Sequence, residues 1–322
     1  MDIVLGLLLF ALGVALLDRG ADWFTDSAVD FARVARLPLV LVGLLTVGIE
    51  WEELAVVIVA LIGGNEGLAF GALIGSAIAN MTIVVALGAA VREVRAGAVE
   101  QTLSVLLLIG TVLLVALGSL GDIGRSDGIV LLGGFVVYLI WLGRAFVSGR
   151  ADELLDDEDE DNASEPEASD DDAEELLRGW LIAAIVGALA VTLLGGELAV
   201  RGALRVAEHT PLTQTTAGLT LVALGTSLPD ALVSFRAARR GATPLVLANA
   251  AGSNLCNLLL LTGILALFGS VAVPGSVQRI DLPVLLAVTA ALTIMLARGS
   301  LGRGYAIAMT VVYVGFVLVR MM

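Results

Sequence analysis

Two carboxylates lie where an apolar chain has least use for charge. Asp230 sits inside GLTLVALGTSLPDALVSF, which begins at Gly218. Ionising an acid at the centre of a bilayer-spanning helix costs at least ~2.5 to 3.5 kcal/mol, so an intramembrane acid implies a purpose. No basic residue lies between Arg205 and Arg236 to serve as its local partner, which weighs against a buried ion pair. Gly225 and Pro229 flank the acid and predict a break in the helix, which would free backbone carbonyls beside the carboxylate. Irregular backbone at membrane depth is tolerated only where it is buried or lines a cavity. A carboxylate with freed carbonyls is the outline of a cation site.

The arrangement occurs twice. Asp230 is followed 23 residues later by Ser253 and four more by Asn257, in GSNLCN; Glu53 is followed 23 residues later by Ser76 and four more by Asn80, in GSAIAN. Upstream, GADWFTDSAVDFA from Gly20 parallels GELAVRGALRVA from Gly196, at a slightly shorter offset. A chain that repeats a site-bearing helix pair reads as an internally duplicated transporter.

The elements that must position these residues follow from composition. With 58% hydrophobic residues and a mean hydropathy of +0.97, the chain is a polytopic membrane protein. One cysteine excludes an intramolecular disulfide framework. Met1 to Leu17 has no basic n-region or small-residue cleavage site, so it reads as a retained span. Ten spans are predicted, at roughly 3–32, 38–62, 67–91, 102–120, 128–147, 179–207, 211–236, 243–269, 281–297 and 304–320. Five spans per repeat is an odd number, so the halves must run with opposite topology. The predicted class is an all-α membrane protein of ten transmembrane helices in two inverted five-helix repeats, with helices 2 and 7 broken.

Three segments result: a first repeat at 1–147, an acidic linker at 148–178 and a second repeat at 179–322. All 18 basic residues are Arg, and 15 of the 32 acidic residues fall between Asp152 and Glu175, so the net charge of −14 belongs mostly to the linker. Absent Lys and concentrated acid suggest a high-salt cytosol. With the N-terminus outside, inner loops hold twelve Arg and outer positions five, which favours both termini outside and a cytoplasmic linker. So charged a segment reads as a solvated tether rather than a folded calcium sensor.

GTSLPDALVSF with GSNLCN, GSAIAN and the duplicated ten-span layout resemble the sodium/calcium exchangers of the cation/calcium exchanger superfamily, prokaryotic type, over nearly the whole chain. The resemblance implies adjacent calcium and sodium sites near the midplane. By position they would be built from Thr226, Ser227, Asp230, Ser253 and Asn257 in the second half, and Glu53, Ser76 and Asn80 in the first. It implies a secondary antiporter of the cell membrane whose partners include calcium, sodium and the lipid bilayer, with no cofactor, enzymatic activity or nucleic acid. The chemistry agrees, since calcium takes about six to eight hard oxygens, which two carboxylates with carbonyls, amides and hydroxyls can supply.

The first repeat departs from the pattern. It reads Gly48, Ile49, Glu50, Trp51, Glu52, Glu53, with no Pro, and Ile49 and Glu50 stand in place of Thr and Ser. Counting from Gly43 would put the acid on Ala55, so two residues are deleted between them. Glu50 lies three positions before Glu53 and, on a helix, would share its face, so the pair could hold one ion or one proton; it reads equally as a solvated, passive residue at an aqueous vestibule with Trp51. This stretch is also similar to the proton/calcium exchangers of the same superfamily, which keeps proton coupling as the alternative.

Other polar or small residues have plainer readings. His209, before Thr210 and Pro211, reads as an interfacial cap; Cys256 as a packing residue; and Gly71, Gly75, Gly252 and Ala248 as close-packing positions. Asp22 and Glu197 each lie near an Arg and read equally as paired structural charges or an ion vestibule. An intramembrane aspartyl protease needs each acid in a motif built for proton transfer, which is absent. A passive cation channel would normally come from symmetric subunits rather than one inverted duplication.

The resemblance generates one prediction directly. Potassium-dependent relatives use an acid where this chain has the neutral amide of Asn257. Transport should therefore run without added potassium, and strict dependence of flux on potassium in reconstituted vesicles would contradict this.

Overall fold

The computed structural model describes residues 2–34, 50–147, 171–210, 212–241 and 243–321. Numbered in chain order, the helices are α1 Asp2–Val34, α2 Trp51–Ile62, α3 Glu66–Val91, α4 Ala98–Ser119, α5 Arg125–Val147, α6 Asp171–Glu208, α7 Gln214–Arg239, α8 Thr243–Phe268, α9 Val277–Ala297 and α10 Arg303–Met321. Among the described residues, nine of these are long and apolar enough to cross a membrane. The exception is α2, whose 12 residues form the second half of the expected 38–62 span. The other half of that span, including Gly43, Gly48 and Ile49, lies outside the described residues, as does the linker from 148 to 170.

The layering follows from where the apolar side chains point. α3 is almost wholly buried and α8 largely so, while α1, α4, α5, α6 and α10 carry exposed Leu, Ile and Val along their outer faces. Helices apolar on every side are stable only when the outer face meets lipid. The protein is therefore a multi-pass membrane helix bundle with α3 and α8 at its centre.

Close backbone approach holds this centre together. A Cβ on Gly71 would run into the carbonyl of Thr215, and one on Gly218 into the carbonyl of Leu68, so α3 and α7 cross with backbones in contact. Long helices α1 and α6 pack on each other in the same way, through Gly13 against Ala199 and Gly195 against Leu17. Small residues at such crossings gain van der Waals contact where lipid offers no hydrophobic drive to associate. Gly71 and Gly75 thus take the packing role expected of them.

Correspondences between the two halves are visible in the elements. α3 and α8 each span 26 residues, and adding 177 to Glu66 and Val91 gives Thr243 and Phe268. A short antiparallel pair joins β1 Val94–Arg95 to β2 Ser300–Leu301, and an isolated bridge joins Ile123 to Val271. The same offset takes Val94 to Val271 and Ile123 to Ser300, so both contacts join the same two places with the halves exchanged.

Two expectations are corrected. α7 is not broken at Pro229: from Ala223 it is α-helical straight through the proline to its end. One proline removes a single N–H, here the one that would meet the Gly225 carbonyl, and packed neighbours hold the rest of the ladder. The irregularity lies earlier, in a π-helical turn at Gly218–Val222, where the Ala223 N–H reaches Gly218 and Thr220 and passes over Leu219. Similarly, α6 begins at Asp171, so the end of the expected linker continues the helix.

A buried ion pair closes one end of the bundle. Arg320 Nε lies 3.3 Å from Asp281 Oδ1, with both side chains buried, and Arg320 Nη2 donates to Thr216 Oγ1 at 3.2 Å. This ties α10 and α9 to the start of α7.

The α3–α7 crossing is directly testable. Gly218→Val should destabilise the protein by about 1–3 kcal/mol through overpacking. A lowered thermal unfolding midpoint of the detergent-purified protein is the expected result, and an unchanged midpoint would show that the crossing can open.

Candidate cation site

Each half delivers its acid differently. In the first, α2 starts at Trp51, and Glu50 before it is extended (φ −84°, ψ 91°), its carbonyl accepting from the Leu54 N–H at 2.9 Å. Glu50 is therefore not on the helix, which corrects the expectation that helical spacing aligns it with Glu53. The turn gathers the acids nonetheless: carboxylate oxygens of Glu50, Glu52 and Glu53 lie within 4.8 Å of one another. A helix N-terminus favours negative charge, which offsets part of their repulsion. In the second half Asp230 sits mid-helix on α7, one residue after Pro229.

Helices α3 and α8 supply the neutral oxygens. Ser76 Oγ donates to Glu53 Oε1 at 2.9 Å and lies 3.1 Å from Ser227 Oγ. A hydroxyl has one proton, so Ser227 is the donor in the second contact. Across the site Ser253 Oγ donates to Glu50 Oε1. Adding 177 to Glu50 gives Ser227 and to Ser76 gives Ser253, so these two contacts are the same contact with the halves exchanged. Glu50 is thus a carboxylate placed where the other half has a hydroxyl.

Amide groups complete the arrangement. Asn249 Nδ2 donates to Asp230 Oδ1 at 3.0 Å. Asn80 Nδ2 donates to Asn254 Oδ1 at 3.2 Å, and Asn254 Nδ2 donates to the Ala77 carbonyl at 2.9 Å. Thr226 Oγ1 donates back to the Val222 carbonyl at 3.2 Å, which leaves its lone pairs to accept. Asn257 lies one turn beyond Ser253, buried, with neither amide atom hydrogen-bonded.

The electrostatics point one way. Glu50, Glu52, Glu53 and Asp230 are within Coulombic reach of one another, and among the described residues no ion pair involves any of the four. Glu53 Oε2, Asp230 Oδ2, Asn80 Oδ1 and Asn257 Oδ1 are buried without a hydrogen-bond partner. Buried polar atoms are nearly always paired, and a cluster of orphan acceptors beside carboxylates is the donor set a hard cation takes.

Of the nine residues singled out by sequence reasoning, Glu53, Ser76, Asn80, Thr226, Ser227, Asp230, Ser253 and Asn257 stand buried on the four helices around this cluster, and Glu50, half-buried, directly precedes one of them. Three further residues emerge only here. Asn249 precedes Ser253 by four and shares its helix face, a spacing that marks it in retrospect. Asn254 is part of GSN, but its link to Asn80 crosses between the halves and no spacing discloses it. Glu52 joins the acidic group because Glu50 leaves the helix. Outside the cluster, His209 Nδ1 lies 2.9 Å from the Arg205 carbonyl at the end of α6, Glu197 pairs with Arg201, and Cys256 is buried.

A membrane helix bundle with acids from two similar halves at its centre, none in an ion pair among the described residues, is the arrangement of a membrane protein that binds cations. The chain belongs to the family described as "Sodium/calcium exchanger protein", whose profile it matches at residues 5–144 and 180–322. It is 29% identical over 316 residues to "Uncharacterized membrane protein MJ0091" of Methanocaldococcus jannaschii, covering 97% of each chain. It is 30% identical over 295 residues to "Putative antiporter CaxA" of Alkalimonas amylolytica, covering 89% of this chain and 88% of the relative. Its fold is similar to that of the sodium-calcium exchanger NCX_Mj soaked with 2.5 mM Na+ and 0.1 mM Ca2+, with a TM-score of 0.63, 26% identity and 97% of each chain covered.

The amide bridge between the halves yields a prediction. Asn254→Ala takes the amide acceptor from Asn80 Nδ2 and the side-chain donor from the Ala77 carbonyl, which keeps the Asn80 backbone N–H, in a buried setting, and should cost about 1–3 kcal/mol of stability. Thermal unfolding measures it, and an unchanged midpoint would mean that the bridge is not formed.

Proposed function

We propose that the protein is a secondary antiporter exchanging calcium for sodium by alternating access, as ten transmembrane helices in two inverted five-helix repeats. The observation that carries this reading is the convergence of Glu53 and Asp230 from the two halves, buried, without basic partners among the described residues, and surrounded by hydroxyl and amide oxygens. The first repeat occupies 1–147 and the second 179–322, joined by the acidic linker on the cytoplasmic side, with both termini outside. The equal lengths of α3 and α8 and the exchanged strand contacts support the inverted duplication.

Mechanism follows from charge. Calcium would be held by Glu53 and Asp230 with oxygens of Ser76, Asn80, Ser253, Asn257 and Glu50 completing its shell. Sodium, also a hard cation, would use the same carboxylates with Thr226 and Ser227. Four carboxylates without cations repel one another in a low-dielectric interior, which penalises passage of the unloaded site across the membrane. Two ions that compete for one such site are exchanged rather than leaked.

The acidic trio at Glu50, Glu52 and Glu53 favours a second reading, calcium/proton exchange, because extra carboxylates are proton carriers. A passive cation channel fits less well, since no open path is needed to explain the cluster. Purified protein in liposomes separates these: calcium uptake should follow an imposed sodium gradient. Uptake driven by a pH gradient in sodium-free buffer, with no response to sodium, would promote the proton reading, and flux without counter-transport would promote the channel.

In the same assay Asp230→Asn and Glu53→Gln should each abolish calcium transport while leaving folded protein. Near-normal flux in either variant would remove that residue from the site.

A further inference from the structure

Asn80 begins a π-helical turn, Asn80–Val84, inside α3. In an α-helix the Val85 N–H would bond to the Met81 carbonyl; here it reaches Asn80 and Thr82 instead and passes over Met81. A passed-over carbonyl in a membrane interior needs another donor. Tyr305, buried on α10, supplies it: its hydroxyl donates to the Met81 carbonyl at 2.6 Å.

The second half lacks this device. α8 has its own π-helical turn at Cys256–Leu261, where the Thr262 N–H reaches Asn257 and Leu259 and passes over Leu258. Subtracting 177 from Tyr305 gives Gly128, which has no side chain to donate. There Thr262 Oγ1 donates to the Asn257 carbonyl at 2.8 Å, a local bond within the helix that goes to a carbonyl other than the passed-over one. The turn that presents Asn80 is thus pinned from another helix, whereas the turn that presents Asn257 is pinned from its own.

We infer that Tyr305 is a positioning residue for cation binding: its hydroxyl holds the π-helical turn that presents Asn80, whose amide oxygen is buried without a hydrogen-bond partner. Relaxation of that turn to a regular helix would rotate Asn80 relative to Ser76 and to its bond with Asn254. Removing the hydroxyl therefore weakens the ion site at a residue that touches no ion. The inference rests on the exchanger reading through Asn80, so its test must separate the two.

The experiment measures sodium-driven calcium uptake in liposomes for the unaltered chain, Tyr305→Phe, Asn80→Ala and the double variant. Tyr305→Phe should raise the KM for calcium about tenfold with a smaller change in maximal rate, and the double variant should be no worse than Asn80→Ala alone. Additive losses, or an unchanged KM in Tyr305→Phe while Asn80→Ala is impaired, would overturn the positioning role. Normal transport by Asn80→Ala would instead remove Asn80 from the site and with it the exchanger reading's ligand set.

A second measurement needs no transport. Calcium should raise the unfolding midpoint of the purified protein, and this rise should shrink in Tyr305→Phe. A lower midpoint without calcium, combined with an undiminished rise on adding it, would mark the bond as structural only and overturn the proposal.

Discussion

Unpaired negative charge inside an apolar bundle is the constraint on which the rest of this structure depends. Glu53 and Asp230 are buried among helices whose outer faces suit lipid, with Glu50 and Glu52 beside them and no basic side chain paired to any of the four among the described residues. Isolated buried charge is costly, and removing one partner of a buried pair is among the largest single destabilisations known in proteins. A fold that keeps such a group must either neutralise it or bring it a cation. On the proposed exchanger reading the cation is the cargo, which makes the cost of the empty site part of the coupling between the two ions.

Much of the architecture can be understood as holding that charge in place. Backbone contact at Gly71 and Gly218 brings α3 and α7 close enough for Ser76 of one half to touch Ser227 of the other. The bonds from Ser253 to Glu50 and from Asn80 to Asn254 tie the halves again at the same depth. π-helical turns widen α3 and α8 at Asn80 and Asn257 and α7 one turn before Thr226, at the expense of carbonyls that need other donors. Away from the centre, the buried Arg320–Asp281 pair and its bond to Thr216 fix the end of α7, so the acid-bearing helix is held at both its crossing and its start.

The two halves are similar in plan and different in charge. Where the second half has Ser227, the first has Glu50, and the contact it makes with Ser253 mirrors the contact of Ser227 with Ser76. The pairing therefore survives a change from hydroxyl to carboxylate, because both accept or exchange a hydrogen bond with a serine at the same distance along the facing helix. What changes is the field at the centre, which bears on which cations the site prefers rather than on the fold.

Nine of the ten span positions, the duplicated 23-and-4 spacing and the polar positions around the two acids were legible in the sequence, because hydropathy periods and residue spacings are local properties that lipid burial makes obligatory. The family resemblance in GTSLPD and GSN was equally plain. Other features were not. Pro229 signals a helix break, yet α7 continues through it, since neighbouring helices supply what one missing N–H does not. Helical spacing suggests that Glu50 and Glu53 share a face, yet the chain reaches Glu50 before the helix begins and gathers the acids by a turn. Asn254 and Tyr305 carry no sequence signal at all, because each acts on a group 174 or more residues away: Asn254 on Asn80, and Tyr305 on Met81 at a separation of 224. The sequence by itself determined which residues lie in the membrane and which of them are polar. Only tertiary packing decided which polar groups meet, because that depends on how closely two glycine-bearing helices cross and on which carbonyls their irregular turns leave to be satisfied.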